Sequence, residues 1–218
     1  MKKLSKKKRH EFLDAIYDLL FSQYGKLSCS LDHSNPLELM VATILSAQCT
    51  DARVNKITPA LFKKYPTAHD YAIANQEELE DDIRSAGFFR NKAKSIIGAC
   101  QVIDQSYGGE LPNNLTDLVK LPGIGRKTAN VILGDAFDVP GFPVDTHVTR
   151  LLNLIGLVKT DNAVKIEQFV IEVVDEARWV NFSHLLINHG RLVCVARKPK
   201  CEQCVLNKKC ELNLKNNC

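Results

Sequence analysis

"KLPGIGRKTANVIL", residues 120–133, joins a tight glycine turn to two cations and an apolar run that reads as a helix. Pro122 fixes one backbone angle, while Gly123 and Gly125 permit a sharp turn with positive φ and close approach of another backbone. With a short helix on either side, the stretch is a helix-hairpin-helix. The first turn of a helix carries the positive end of its dipole, which disfavours Arg126 and Lys127 there by about 0.3–1 kcal/mol each. An anion removes that conflict. The N–H groups of the turn, Ile124 included, and those opening the second helix form a ready phosphate site. A phosphate-loop nucleotide site needs glycine directly before its lysine, and this chain has Arg126 there.

Helix signals recur outward from this hairpin and strand signals do not, so the fold class is all-α. Phe12, Ile16, Leu19 and Leu20 mark one face of a helix near 9–23. Asn35, Pro36 and Glu38 give a box-like helix start. Thr58 and Pro59 repeat the cap-then-proline pattern, which predicts that Pro59 separates two short helices. Asn75 with Glu78 opens a helix stopped by Gly87, and "RNKAKSIIGACQVIDQSYGG" runs to a terminator at Gly108. A short helix at 115–120 and three more near 146–155, 162–175 and 178–193 bring the total to about ten. The loop "DVPGFP" (138–143) is the candidate hinge between two helical lobes.

The 218 residues suffice for one large domain or two small ones, and 45% apolar with 25% charged content fits a globular chain. No apolar run approaches the ~20 residues that span a bilayer. The N-terminus begins like a signal peptide, but Asp14 and Asp18 interrupt the apolar segment, which predicts an intracellular protein. The net charge of +4 is mild, but its distribution is uneven. Basic residues crowd the first ten positions and 197–209, whereas "EELEDD" (77–82) is acidic, as suits a polyanion-binding face with a solvated opposite face.

Two side chains suggest chemistry. A lysine at the positive end of a helix, beside a second cation and partly desolvated, has its ammonium form disfavoured, and a neutral amine is a nucleophile suited to forming a Schiff base. Lys127 is either that nucleophile or a surface phosphate ligand. Asp145, in "FPVDTHVTRLLNLIG", is placed as a helix N-cap, and a carboxylate beside the hinge could also face the lysine across a cleft. Of the eight cysteines, Cys29, Cys49 and Cys100 sit among apolar neighbours as reduced core thiols, and Cys218 has no assigned role. Cys194, Cys201, Cys204 and Cys210 form Cys-x6-Cys-x2-Cys-x5-Cys, four thiolates able to wrap one soft metal centre. Zinc ribbons use two Cys-x2-Cys knuckles and only one is present, while four thiolates also serve an iron–sulfur cluster. Arg197, Lys198 and Lys200 make a cationic loop between the first two cysteines.

"LPGIGRKTANVIL", followed 18 residues after Lys127 by the aspartate of "VDTH", resembles the helix-hairpin-helix, Gly-Pro-Asp superfamily of DNA glycosylases. "LSAQCTDARVN" (45–55), "GFFRNKAKSI" (87–96) and the cysteine spacing extend the resemblance to the endonuclease III family over nearly the whole chain. The resemblance implies that Lys127 is the catalytic nucleophile and Asp145 the essential carboxylate. It also implies that the four cysteines hold a 4Fe–4S cluster and that Lys198, with its neighbours, grips DNA phosphate. Gln48, otherwise a polar residue at a helix end, would plug the vacated base stack. Phe88, otherwise a core aromatic, occupies a wedge position that is commonly leucine. His147 reads as structural.

The family's lobes would be 29–139, a helical barrel with the hairpin, and 1–28 with 140–218, an iron–sulfur domain, flanking the DNA. The implied activity is that of a bifunctional glycosylase and lyase for oxidised or ring-saturated pyrimidines. It would act as a monomer on damaged double-stranded DNA in the cytoplasm, at the nucleoid in a bacterium. Relatives that excise adenine mispaired with oxidised guanine lack the lysine and carry a further C-terminal domain, whereas eight residues follow Cys210 here.

Overall fold

The computed structural model of the chain describes residues 5–210, so Cys218 lies outside the described residues. Among the described residues there are eleven α-helices and no strand. Helix α1 (Lys6–Tyr24) is capped by Ser5. Helix α2 (Pro36–Ser46) starts with Asn35 accepting from the Glu38 N–H, while the Glu38 carboxylate reaches back to Ser34. Every side chain from Leu39 to Leu45 is buried, so α2 is a core helix rather than an amphipathic surface one.

Helix α3 (Asp51–Lys64) corrects the reading of Pro59, which lies inside one continuous helix. Its ring faces solvent, while Val54, Thr58 and Leu61 on the opposite face are buried. An interior proline costs about 3 kcal/mol. Burying Val54 and Leu61, at roughly 1.5–3 kcal/mol each, offsets that cost. Helix α4 (Ala68–Ala72) has no counterpart in the sequence reading, although Thr67 and Asp70 form a reciprocal capping box at its start. Helix α5 (Gln76–Asp82) contains the acidic block and buries only Leu79, so its carboxylates are solvated.

The remaining helices are α6 (Phe89–Tyr107), α7 (Leu115–Leu118), α8 (Arg126–Ala136), α9 (Thr146–Ile155), α10 (Ala163–Ile171) and α11 (Trp179–Leu192). The chain divides into two compact units, Cys29–Val139 and a discontinuous one formed by Met1–Ser28 with Pro140–Cys218. In the first unit, α2, α6 and α8 bury Leu39, Leu45, Ile96, Ile103 and Ile132 against one another. Cys100 is fully buried there, which pushes its thiol up to about 12, and Cys29 and Cys49 pack at the edge of the same core. In the second unit, Leu13, Ile16 and Leu20 of α1 meet Leu151 and Leu152 of α9 and Phe182, Leu185 and Leu186 of α11. No described helix is long and apolar enough to cross a membrane.

Candidate active site and metal centre

The hairpin lies between α7 and α8 and is pinned by its own glycine. Gly123 has φ 77°, and a Cβ added there would stand 2.6 Å from Ser95 Cβ of α6. Ile124 donates its N–H to the Leu121 carbonyl at 3.1 Å, and its side chain is 4% exposed. Ile124 therefore anchors the turn in the core, with its N–H already bonded to Leu121 rather than directed at a ligand. Gly125 precedes α8 without a side-chain cap, as an external anion at that terminus would require. Arg126 is half-buried and Lys127 exposed, so the protein alone does not remove the Lys127 amine from water. Gly123→Ala should destabilise the protein by about 2–3 kcal/mol, combining left-handed strain with overpacking against Ser95. A fall of roughly 5–10 °C in melting temperature would register it, and an unchanged melt would show that the hairpin is not held against α6.

Three exposed residues of the same unit other than glycine sit in left-handed backbone: Gln48 at φ 54°, just past α2, Phe88 at φ 48°, just before α6, and Asp138 at φ 53°, just past α8. Phe88 is 64% exposed, so it is not a core aromatic. Left-handed conformations at residues other than glycine cost of order 1–3 kcal/mol and persist where the surroundings enforce them. Gln48 and Phe88 border one open pocket with Lys92, Ser95, Gly123 and Thr128. Lys92 was missed in the sequence. It is 5% exposed, and its Nζ donates to the carbonyls of Leu45 at 2.8 Å and Ala86 at 2.9 Å. Burial lowers its pKa, but an amine bound to two carbonyls and closed to solvent cannot meet an incoming carbon. The available signal was a lysine on the apolar face of α6, in line with Ala93, Ile96, Ala99 and Ile103.

In the second unit Asp145 caps α9. Its Oδ1 accepts from the N–H groups of His147 and Val148, both at 2.8 Å, which leaves Oδ2 outside the cap. The extended approach is fixed where Ser183 Oγ donates to the Pro143 carbonyl at 2.7 Å. His147 packs on Gly190, where a Cβ would come within 2.9 Å of it, and its Nδ1 lies 3.2 Å from Arg150 Nη2. Its place is structural.

Cys194, Cys201, Cys204 and Cys210 line one recess closed by Leu154, Val193 and Pro199. Four thiols lining one recess supply the four-thiolate ligand set that an iron–sulfur cluster takes. Burial raises the thiol pKa of Cys194 and Cys204, so their thiolates need a metal's positive charge. Arg150 donates to the Cys194 carbonyl at 2.7 Å and the Gly190 carbonyl at 2.9 Å, fixing the first ligand on the end of α11. His189 is 1% exposed, with Nε2 3.2 Å from Cys204 Sγ and Nδ1 2.8 Å from the Tyr24 hydroxyl. A metal-bound thiolate would only accept, which would make Nε2–H the donor to sulfur and leave Nδ1 to accept from Tyr24. Arg197, Lys198 and Lys200 are all exposed on the intervening loop, with Lys198 at φ 57°.

Residues 41–176 match the family described as HhH-GPD superfamily base excision DNA repair protein, and 194–210 match the iron-sulfur binding domain of endonuclease III. Endonuclease III of Synechocystis sp. is 47% identical over 211 residues, covering 96% of this chain and 95% of that protein. The Bacillus subtilis enzyme is 45% identical over 205 residues, 93% of this chain and 92% of its own. Among solved structures, a non-covalent endonuclease III–DNA complex superposes with a TM-score of 0.91 at 41% identity, covering 98% of this chain and 99% of that one. A trapped endonuclease III–DNA covalent intermediate gives 0.90 at 41% identity, covering 99% of this chain and all (100%) of the other. With the uncapped hairpin and the four-cysteine recess in place, these matches settle the ancestry: the chain belongs to the endonuclease III family of helix-hairpin-helix, Gly-Pro-Asp base-excision repair proteins.

Proposed function

We propose that this chain removes oxidised or ring-saturated pyrimidines from duplex DNA through a Schiff base on Lys127, then cuts the strand 3′ to the abasic site. The protein is a base-excision DNA glycosylase and abasic-site lyase, as its membership of the endonuclease III family entails. The placement of Lys127 carries the residue-level reading: an accessible amine in the first turn of α8, directly behind a hairpin that presents uncapped N–H groups. DNA phosphate on that hairpin and on Arg126 would bring the sugar to the amine and displace the water around it.

The amine attacks C1′, and the C1′–N bond breaks with its electron pair leaving on the damaged base, which takes up a proton. The sugar ring opens to an iminium, C2′ loses a proton, and the C3′–O bond breaks to release the phosphate. Asp145 Oδ2, outside the cap, stabilises positive charge developing on the sugar. A base inside a duplex hides C1′, so the nucleotide must leave the stack, with Gln48 filling the gap and Phe88 entering beside it. Cys194, Cys201, Cys204 and Cys210 would hold the 4Fe–4S cluster, and Arg197, Lys198 and Lys200, on the loop between the first two of them, would meet the phosphate backbone. The chain acts as a monomer, and its bacterial relatives support a cytoplasmic location.

Borohydride added to the protein with abasic duplex DNA tests the chemistry. A covalent protein–DNA adduct is expected, and binding with no adduct would leave a DNA-binding protein only. Asp145→Asn separates the two roles of that residue. Asparagine caps a helix about as well as aspartate, so the melting temperature should stay within ~1 °C. Losing the charge should slow single-turnover excision by roughly 10²-fold or more. A slow variant that also melts well below the parent would mean the carboxylate is only a cap.

A further inference from the structure

We propose that Lys92 is a positioning residue: its buried ammonium fixes the separation of the two turns that carry Gln48 and Phe88, so that both enter the duplex together. The proposal rests on the reading of those two residues as the ones that occupy the opened stack.

The hydrogen bonds motivate it. At the end of α2 the chain turns left-handed at Gln48, and the Cys49 N–H bonds Ser46 instead of continuing the helix to Leu45. The Leu45 carbonyl is stranded by that turn. Before α6 the chain turns left-handed again at Phe88, and the Ala86 carbonyl falls in the break between a 3-10 turn (Arg84–Ala86) and the helix. Buried carbonyls without partners are costly. The Lys92 ammonium answers both, at 2.8 and 2.9 Å, and its own backbone N–H donates to the Phe88 carbonyl at 3.2 Å.

Among the described hydrogen bonds, those of Lys92 are the ones that cross from one turn to the other. Its side chain bonds the residue three before Gln48 and the residue two before Phe88. The cation suits the task because an ammonium offers three donors, accepts nothing, and bonds carbonyls more strongly than a neutral group does. Both turns hold strained backbone that would otherwise relax, each in its own direction. Tying them to one buried charge makes two strained turns a single fixed element, which a residue entering base pairs requires, since misplacement by about 1 Å can cost 10²-fold in rate.

The test is single-turnover excision by the cluster-loaded full chain from a duplex with one oxidised pyrimidine, comparing wild type with Lys92→Met. Methionine keeps the unbranched stem and removes every donor. Excision should slow by ~10- to 100-fold. Borohydride trapping on a preformed abasic site in single-stranded DNA, where no stack must open, should change by less than ~3-fold. A double-mutant cycle supplies the readout that general destabilisation does not move: in a Gln48→Ala/Phe88→Ala background, adding Lys92→Met should slow excision by less than ~3-fold further. If the full Lys92 effect persists in that background, Lys92 does not act through the two turns and the proposal is overturned. If Gln48→Ala/Phe88→Ala alone leaves duplex excision unchanged, the reading of Gln48 and Phe88 has failed instead. Should Lys92→Met not fold, Lys92→Gln retains a donor too short to span both carbonyls, and wild-type excision by that folded variant would equally overturn the proposal.

Discussion

Lys127→Ala protein is expected to bind damaged duplex DNA, to excise no base above roughly one-thousandth of the wild-type rate, and to leave no borohydride adduct. Its melting temperature should change by ~1–2 °C at most, because the removed side chain is exposed in the first turn of α8 and alanine is a strong helix former. The result would be specific because the other lysine that attracts attention cannot replace it. Lys92 has the pKa lowered by burial, but its protons are given to the Leu45 and Ala86 carbonyls and it is closed to solvent. An adduct of undiminished yield from Lys127→Ala would move the nucleophile elsewhere and leave Lys127 a phosphate ligand.

The second large effect is expected at the cysteine recess. Between Cys194 and Cys210 the one fully buried side chain is Leu206, so apolar packing does little to hold this segment. Metal–thiolate bonds must supply what packing does not. Cys204→Ala should abolish the broad absorbance near ~400 nm, lower the melting temperature by ~10 °C, and weaken DNA binding steeply as the Arg197–Lys200 loop loses its brace. Cys204 is the telling choice because His189 Nε2 lies 3.2 Å from its sulfur, so losing the thiolate also leaves a buried imidazole nitrogen without its partner. Retention of the absorbance and the melt after Cys204→Ala would remove Cys204 from the ligand set.

The position of Lys127 matters as much as its identity. The sequence left Lys127 as either a partly desolvated nucleophile or a surface phosphate ligand, and the structure places its side chain at the surface. On the proposed function, desolvation therefore arrives with the DNA, when the bound nucleotide covers the amine. Asp145 shows the opposite economy. Both cap bonds fall on Oδ1, so on the proposed function the chemical role would use Oδ2 and would not compete with the cap.

What the sequence determined by itself is local. The helix starts at Asn35, Asn75 and Asp145, the end of α6 at Gly108 and the tight turn at Gly123 follow from hydrogen bonds and φ preferences spanning six residues or fewer, so they are legible in a string. The cysteine spacing is legible for the same reason, since ligands close in sequence need little chain to meet. Only the tertiary structure decided that Pro59 stays within α3, that Ile124 faces inward, that Phe88 stands in solvent on left-handed backbone, and that Lys92 bonds carbonyls on two separate segments. The Lys92–Leu45 bond joins residues 47 apart, and Pro59 is carried by the summed burial of the opposite face of α3. Such energies, a few kcal/mol apiece, override local propensity but leave no mark at the position where they act.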